Sequence, residues 1–239
     1  MILNQNKKTV DRIIKASEVF YKELQKDKTG RYLSWEHCYS NFLKARNQDK
    51  PDVDYLSLHL AFYLASWGMY RGSSFLLQKD YKVHIPVVKE ILKKKYDSLV
   101  GIDCVDYFNE SNQKLLMDLC VRIEEIYKPF RQEIKADDKE TISSTLITKI
   151  LMGTLGCVPA YDRYFVSGIK KQKVTTGNFN IQSILKLAEF YVDNTDRFEP
   201  IRKKMKVKGF SYPQMKMLDM GFWQIGFESD SKNKGKVPR

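Results

Sequence analysis

The chain has few of the groups that usually announce chemistry. Its 239 residues include 3 histidines and 4 cysteines. Cys38, Cys104, Cys120 and Cys157 form neither a CxxC pair nor a Cys/His cluster. Structural zinc needs closely arranged sulfur and nitrogen ligands, so no metal site is expected. GxGxxG and GxxxxGKS/T patterns are absent, which leaves nucleotide hydrolysis without support and gives no cofactor to expect. No segment alternates apolar and polar residues convincingly enough for a strand, and no internal repeat is visible. Long apolar runs are missing too. The longest, residues 56–77, is broken by His59 and Arg71 and diluted by Gly68, Gly72, Ser73 and Ser74. Its uncharged part is too short for a bilayer, and it reads instead as a central helix surrounded by others. Residues 1–8 carry no signal-peptide pattern, so a cytoplasmic protein with reduced thiols and no membrane partner is expected.

What the chain does have is apolar mass and positive charge. Hydrophobic residues make up 43% of it and aromatics 13%, enough to build a core in one large domain or two small lobes. Net charge is +12 and uneven: from Tyr161 onward stand 16 Lys/Arg against 8 Asp/Glu. A basic half is the footprint expected for a polyanion partner, most often nucleic acid. Well-solvated helix faces give the same composition.

Apolar spacing is helical nearly throughout. Val10, Ile13, Ile14, Phe20, Tyr21 and Leu24 define a first amphipathic helix. Ser34 predicts an N-cap for a second, with Glu36 in its first turn. Asp52 or Asp54 is expected to cap the apolar helix, with a loop over residues 80–86 and a short helix over 87–96. A helix through Leu115, Leu119 and Ile126 is expected to stop before Pro129. Thr141, Asn180 and the Asp196/Glu199 pair read as further caps. A last helix covers roughly residues 213–227, and the basic stretch 229–239 reads as a frayed tail. The charged, aperiodic stretch 132–140 is the expected boundary between an N-terminal helical lobe (1–131) and a C-terminal one (132–228). The expected fold class is all-α, many-helix and two-lobed.

The most informative segment is residues 145–165, TLITKILMGTLGCVPAYDRYF. A helical run ends at Gly156, an apolar link crosses Val158 and Pro159, and Asp162 follows. A carboxylate there sits near the first turn of the next helix, where the macrodipole favours its ionised form. That place suits a helix cap and a functional acid alike. A second constellation comprises Trp35, Glu36, His37 and Cys38, then Trp67, Tyr70 and Arg71. On a core helix, Trp67, Tyr70 and Arg71 can line a base-sized pocket, with Trp67 and Arg71 stacked four residues apart. Aromatics at this spacing serve a plain core equally well. Gly68 and Gly72 read as permitting close helix packing, and His59 as a hydrogen-bonded core histidine.

Residues 149–162 resemble the segment leading into the catalytic aspartate of helix-hairpin-helix DNA glycosylases. Lys149, Ile150, Leu151, Val158, Pro159, Tyr161 and Asp162 carry the likeness. Residues 217–223, MLDMGFW, resemble the terminal helix of all-α relatives in that superfamily. The glycine-rich hairpin of those enzymes has no counterpart, since residues 139–143 read KETIS. An acid there weakens phosphate contact. Lys149 lies beyond the place of a hairpin nucleophile, so the resemblance implies Asp162 acting without a Schiff base.

The resemblance implies an enzyme of base-excision type that hydrolyses the N-glycosidic bond of a damaged or modified base. Asp162 would stabilise positive charge on the sugar and orient water. Trp35, His37, Trp67, Tyr70 and Arg71 would wall the pocket for an extruded base. Lys149, Arg163, Lys170, Lys171, Lys173, Lys203 and Lys204 would contact the phosphates of double-stranded DNA. The missing hairpin supports an alternative, a non-catalytic nucleic-acid-binding protein or a helical adaptor that meets an acidic partner.

Overall fold

The structure, a computed structural model, describes residues 2–134 and 141–234, with backbone alone for 2–6 and 231–234. Most of the stretch expected to join two lobes, 135–140, lies outside the described residues, as does 235–239.

The amphipathic N-terminal pattern becomes α1 (Ile2–Lys26), which buries Val10, Ile13, Phe20 and Leu24. One 3-10 turn at Arg31–Leu33 leads into α2 (Ser34–Ala45). Ser34 does not cap it. Leu33 occupies the N-cap position, and the Ser34 hydroxyl is buried without a partner. Asp52 does cap α3 (Val53–Ser66), its carboxylate accepting the Tyr55 N–H at 3.0 Å. This helix is shorter than its apolar run, because the backbone turns at Trp67 and Gly68, where Gly68 takes φ +77°. Nor is it surrounded, since Tyr55, Leu58 and Phe62 form an exposed apolar edge.

α4 (Ile85–Ile91) begins inside the expected loop, because its first turn accommodates Pro86. α5 (Glu110–Gln132) runs through Pro129 instead of stopping before it. Burial of Leu116, Leu119, Ile123 and Tyr127 outweighs the one lost hydrogen bond. α6 (Ser144–Thr154) is capped by Ser143, not Thr141, with the Ser143 hydroxyl accepting the Leu146 N–H. α7 (Arg163–Gln172) and α8 (Ile181–Val192) follow, the latter capped by Asn180 as expected. α9 (Thr195–Arg202) has no capping box: Asn194 is its N-cap, and Glu199 is taken up by Arg202, Tyr191 and Gln214. A two-residue antiparallel hairpin pairs β1 (Lys206–Val207) with β2 (Phe210–Ser211). α10 (Gln214–Lys234) then continues as helix through part of the stretch expected to fray. Apart from that hairpin, the described chain is all-α.

Buried side chains from α1 through α10 form one contiguous hydrophobic cluster. α10 is its spine, with α1 along one side and α7 along another. Residues on both sides of the expected boundary thus share one core. α7 and α10 cross backbone to backbone: a Cβ on Gly168 would lie 1.9 Å from the Phe222 carbonyl oxygen, and one on Gly226 1.9 Å from that of Tyr164. Gly68 and Gly72, by contrast, are turn residues and not a packing stripe.

Gly168→Ala should therefore destabilise the fold by at least about 3 kcal/mol through overpacking. Gly72→Ala, in open space but at φ +58°, should lose only about 1–2 kcal/mol. Urea unfolding of the two variants checks this, and equal small losses would contradict the close crossing.

Candidate functional site

The segment carrying Asp162 is fixed before it reaches the site. Past the end of α6, the Gly156 N–H returns to the Leu151 carbonyl at 2.9 Å, and its φ of +66° turns the chain into the link 157–161. That link is buried, and its backbone polar groups are held from both sides. The Ala160 N–H donates to Asp219 Oδ1 at 2.9 Å and the Tyr161 N–H to the Thr148 hydroxyl at 3.0 Å, while the Thr145 hydroxyl donates to the Tyr161 carbonyl at 3.0 Å. Asp162 is then the N-cap of α7. Its Oδ1 accepts the N–H groups of Tyr164 and Phe165 at 3.0 and 3.1 Å. Its Oδ2 accepts from Lys149 Nζ at 3.0 Å. Capping occupies one oxygen, and the other meets a buried ammonium.

Among the described residues, Lys149 and Lys216 are buried lysines. The Lys149 side chain is 2% exposed and that of Lys216 is 3% exposed. Lys216 pairs with Asp219 at 2.8 Å. Both ammonium groups lie against the Trp67 ring, 5.1 and 5.2 Å from its centroid, and Lys216 also meets Trp35 at 4.7 Å. A buried cation persists only with such partners. Lys149 is therefore a buried pair member and not the surface phosphate arm expected from sequence.

These groups line a cavity of about 180 Å³. Thr145, Lys149 and Asp162 supply polar wall, and Tyr32, Trp67, Tyr164 and Trp223 supply aromatic faces. Arg31, Arg71 and Arg163 also line the cavity. The rings brace one another, with centroid separations of 4.8 Å for Tyr32–Trp67, 5.9 Å for Trp67–Trp223 and 5.2 Å for Tyr164–Trp223. Arg31 and Arg163 each donate at 2.7 Å to the hydroxyl of the tyrosine that follows them. The Trp67 indole N–H is buried with no acceptor. The volume lies below the range of drug-sized ligands and suits a single ring system.

Of the expected pocket residues, Trp67 and Arg71 line this cavity. They are not stacked helix neighbours, because α3 ends before them and Arg71 folds against Gly68. Trp35 is buried outside the lining, its N–H donated to the Met152 carbonyl at 2.9 Å. His37 is exposed on α2, and Tyr70 is taken up by His84. Of the expected phosphate contacts, Arg163 is exposed at the cavity. Lys170, Lys171 and Lys173 are exposed at the other end of α7, roughly 12 Å or more from Asp162 by helix rise. Lys203 and Lys204 are exposed after α9 and do not line the cavity either. Sequence reasoning missed Arg31, Tyr32 and the Lys216–Asp219 pair. The short resemblance at 217–223 already contained Asp219 and Trp223, whereas Arg31 and Tyr32 carry no motif.

Burial pushes all four thiols up, that of Cys120 to about 12, the direction opposite to that of an activated thiolate. Among the described residues, no group of three or more His, Cys, Asp or Glu is arranged to hold a metal, and no helix is long and apolar enough to cross a membrane. Comparison with protein-family models, with curated proteins and with solved structures found no match to the chain.

The core histidine is His84 and not His59, which is half-buried and edge-on to Tyr55. His84 is 0% exposed, between the hydroxyls of Tyr70 and Tyr127 at 2.7 and 2.5 Å. Burial pushes its pKa down to about 3. In the unfolded chain it titrates near its ordinary value of about 6.5. Its contribution to stability is therefore complete above that value and is lost as pH falls toward 3, at up to about 1.4 kcal/mol per pH unit. Urea titrations of wild type and His84→Gln at pH 7, 5 and 4 should show the stability difference shrinking with acid. A pH-independent difference would contradict a histidine held neutral in the fold.

Proposed function

We propose that the protein binds nucleic acid and removes a damaged or modified base by hydrolysing its N-glycosidic bond, on a diverged helix-hairpin-helix glycosylase-like scaffold. The observation that carries this reading is the buried Lys149–Asp162 pair in the wall of a ring-sized aromatic cavity. An extruded base stacks on the Tyr32, Trp67, Tyr164 and Trp223 faces. Arg31, Arg71 and Arg163 meet the flanking phosphates, Arg163 giving up its exposed 3.2 Å contact with Asp230 to do so. As the glycosidic bond lengthens, positive charge grows on the sugar, and the Asp162 carboxylate stabilises it and orients the attacking water. Lys149 and the Tyr164 and Phe165 N–H groups hold the carboxylate in place. The 3.0 Å contact of Lys149 with Asp162 also favours a second route, in which Asp162 takes a proton from the ammonium and the freed Nζ amine attacks the sugar carbon. The C–N bond to the base then breaks, the base leaving with the bonding electrons and taking up a proton from water.

Base release and abasic-site formation, measured on DNA duplexes carrying a panel of damaged and modified bases, test the proposal. Wild type should release a base. Asp162→Asn retains a capping acceptor and should lose at least about 100-fold in rate while keeping its helical circular-dichroism signal. Borohydride present during turnover traps a protein–DNA adduct only on the lysine route. Salt-sensitive DNA binding without release moves the reading to a non-catalytic binding protein, and no binding at all moves it to an adaptor.

A further inference from the structure

A second cavity shares a wall with the first. It is larger, about 520 Å³, and lies between the C-terminal half of α1 and α10. Phe20, Leu24, Trp223 and Phe227 make its apolar lining. Tyr32 and Trp223, edge to face at 5.7 Å, line both cavities, and so does the exposed Arg31. Glu23 and Asp27 line the second cavity and not the first.

We infer that the two cavities form one site for two adjacent bases of an unpaired strand, with Arg31 on the phosphate that joins them. The inference rests on the first cavity being a base site, and not on any bond being broken there. Glu23 is paired with Lys26 at 2.5 Å. This leaves Asp27, held by the Thr29 N–H and hydroxyl, as the carboxylate that disfavours phosphate beside the aromatic faces, so the group that enters is a base and not backbone. Aromatic faces take up any base by stacking. Carboxylates accept from the exocyclic amino groups of cytosine and adenine, which thymine lacks. A guanidinium between two aromatic cavities matches the sequence base, phosphate, base. Neighbouring bases cannot straddle the Tyr32–Trp223 partition while stacked in a duplex, so the strand is single or locally opened.

The test compares two single-stranded DNA decamers of equal charge, each with five cytosines or adenines and five abasic residues. In one the bases are contiguous; in the other they alternate with abasic positions and never adjoin. Affinity is read from tryptophan fluorescence quenching at fixed salt. Wild type should bind the contiguous decamer at least about tenfold more tightly, the scale of one stacked base. Gln224 lines the second cavity and not the first, and is half-buried, so Gln224→Trp should fill that cavity and abolish the preference, bringing affinity for the contiguous decamer down to that for the alternating one. Equal affinities in wild type overturn the two-base site, as does a preference that survives in Gln224→Trp. Binding of neither decamer overturns the base-site reading with it. A contiguous preference without base release on the duplex panel leaves the two-base site standing and removes only the catalytic reading.

Discussion

Two lysine ammonium groups are held out of water against one tryptophan ring, and the surrounding structure follows from satisfying them. Removing an ion from water costs several kcal/mol, recovered only by a partner in good geometry. Asp162 and Asp219 are those partners. Asp219 also accepts the Ala160 N–H, so the pair that neutralises Lys216 anchors the link leading to Asp162. Asp162 starts α7, α7 is locked to α10 through Gly168 and Gly226, and α10 carries Lys216, Asp219 and Trp223. The turn after α3 brings Trp67 against both lysines, and α6 brings Lys149. Moving any one of these elements leaves a buried charge unpaired.

Stability alone does not account for such pairs, since well-packed apolar replacements of buried ion pairs are often as stable or more so. The two pairs also differ in surroundings. Lys216 lies against Phe20, Trp35 and Trp67 and acts by position. Lys149 and Asp162 line a cavity with arginines in its wall. An ion pair with one side toward a ring-sized space is suited to meeting charge that develops on a ligand.

Much of the architecture was legible in the sequence, because 3.6-residue periodicity survives in α1, α5 and α8 and short polar caps mark Asp52, Asn180 and Asp162. The failures share a cause: tertiary packing overrode a local signal. Apolar residues beyond Ser66 look like more helix, yet they belong to a turn that packs Trp67 against the core. Pro129 reads as a stop, yet α5 is carried past it by buried side chains. A lysine reads as surface charge, and nothing local to Lys149 reveals that Asp162 and Trp67 enclose it. Asp162 could be placed at a helix start from sequence, but the cavity around it could not. Its walls come from the turn before α2, the turn after α3, α6, the start of α7 and α10, brought together only by the fold.

The Lys149–Asp162 contact is the centre of the site, and a double-mutant cycle with Lys149→Met and Asp162→Asn measures it. Each single substitution strands a charge or its partner and should destabilise the fold by about 3 kcal/mol or more in urea unfolding. The double variant strands neither, so its loss should fall short of the sum by about 2 kcal/mol. Losses that add to within about 0.5 kcal/mol would mean that the two groups do not sense each other, and the buried pair at the centre of the site would have to be abandoned.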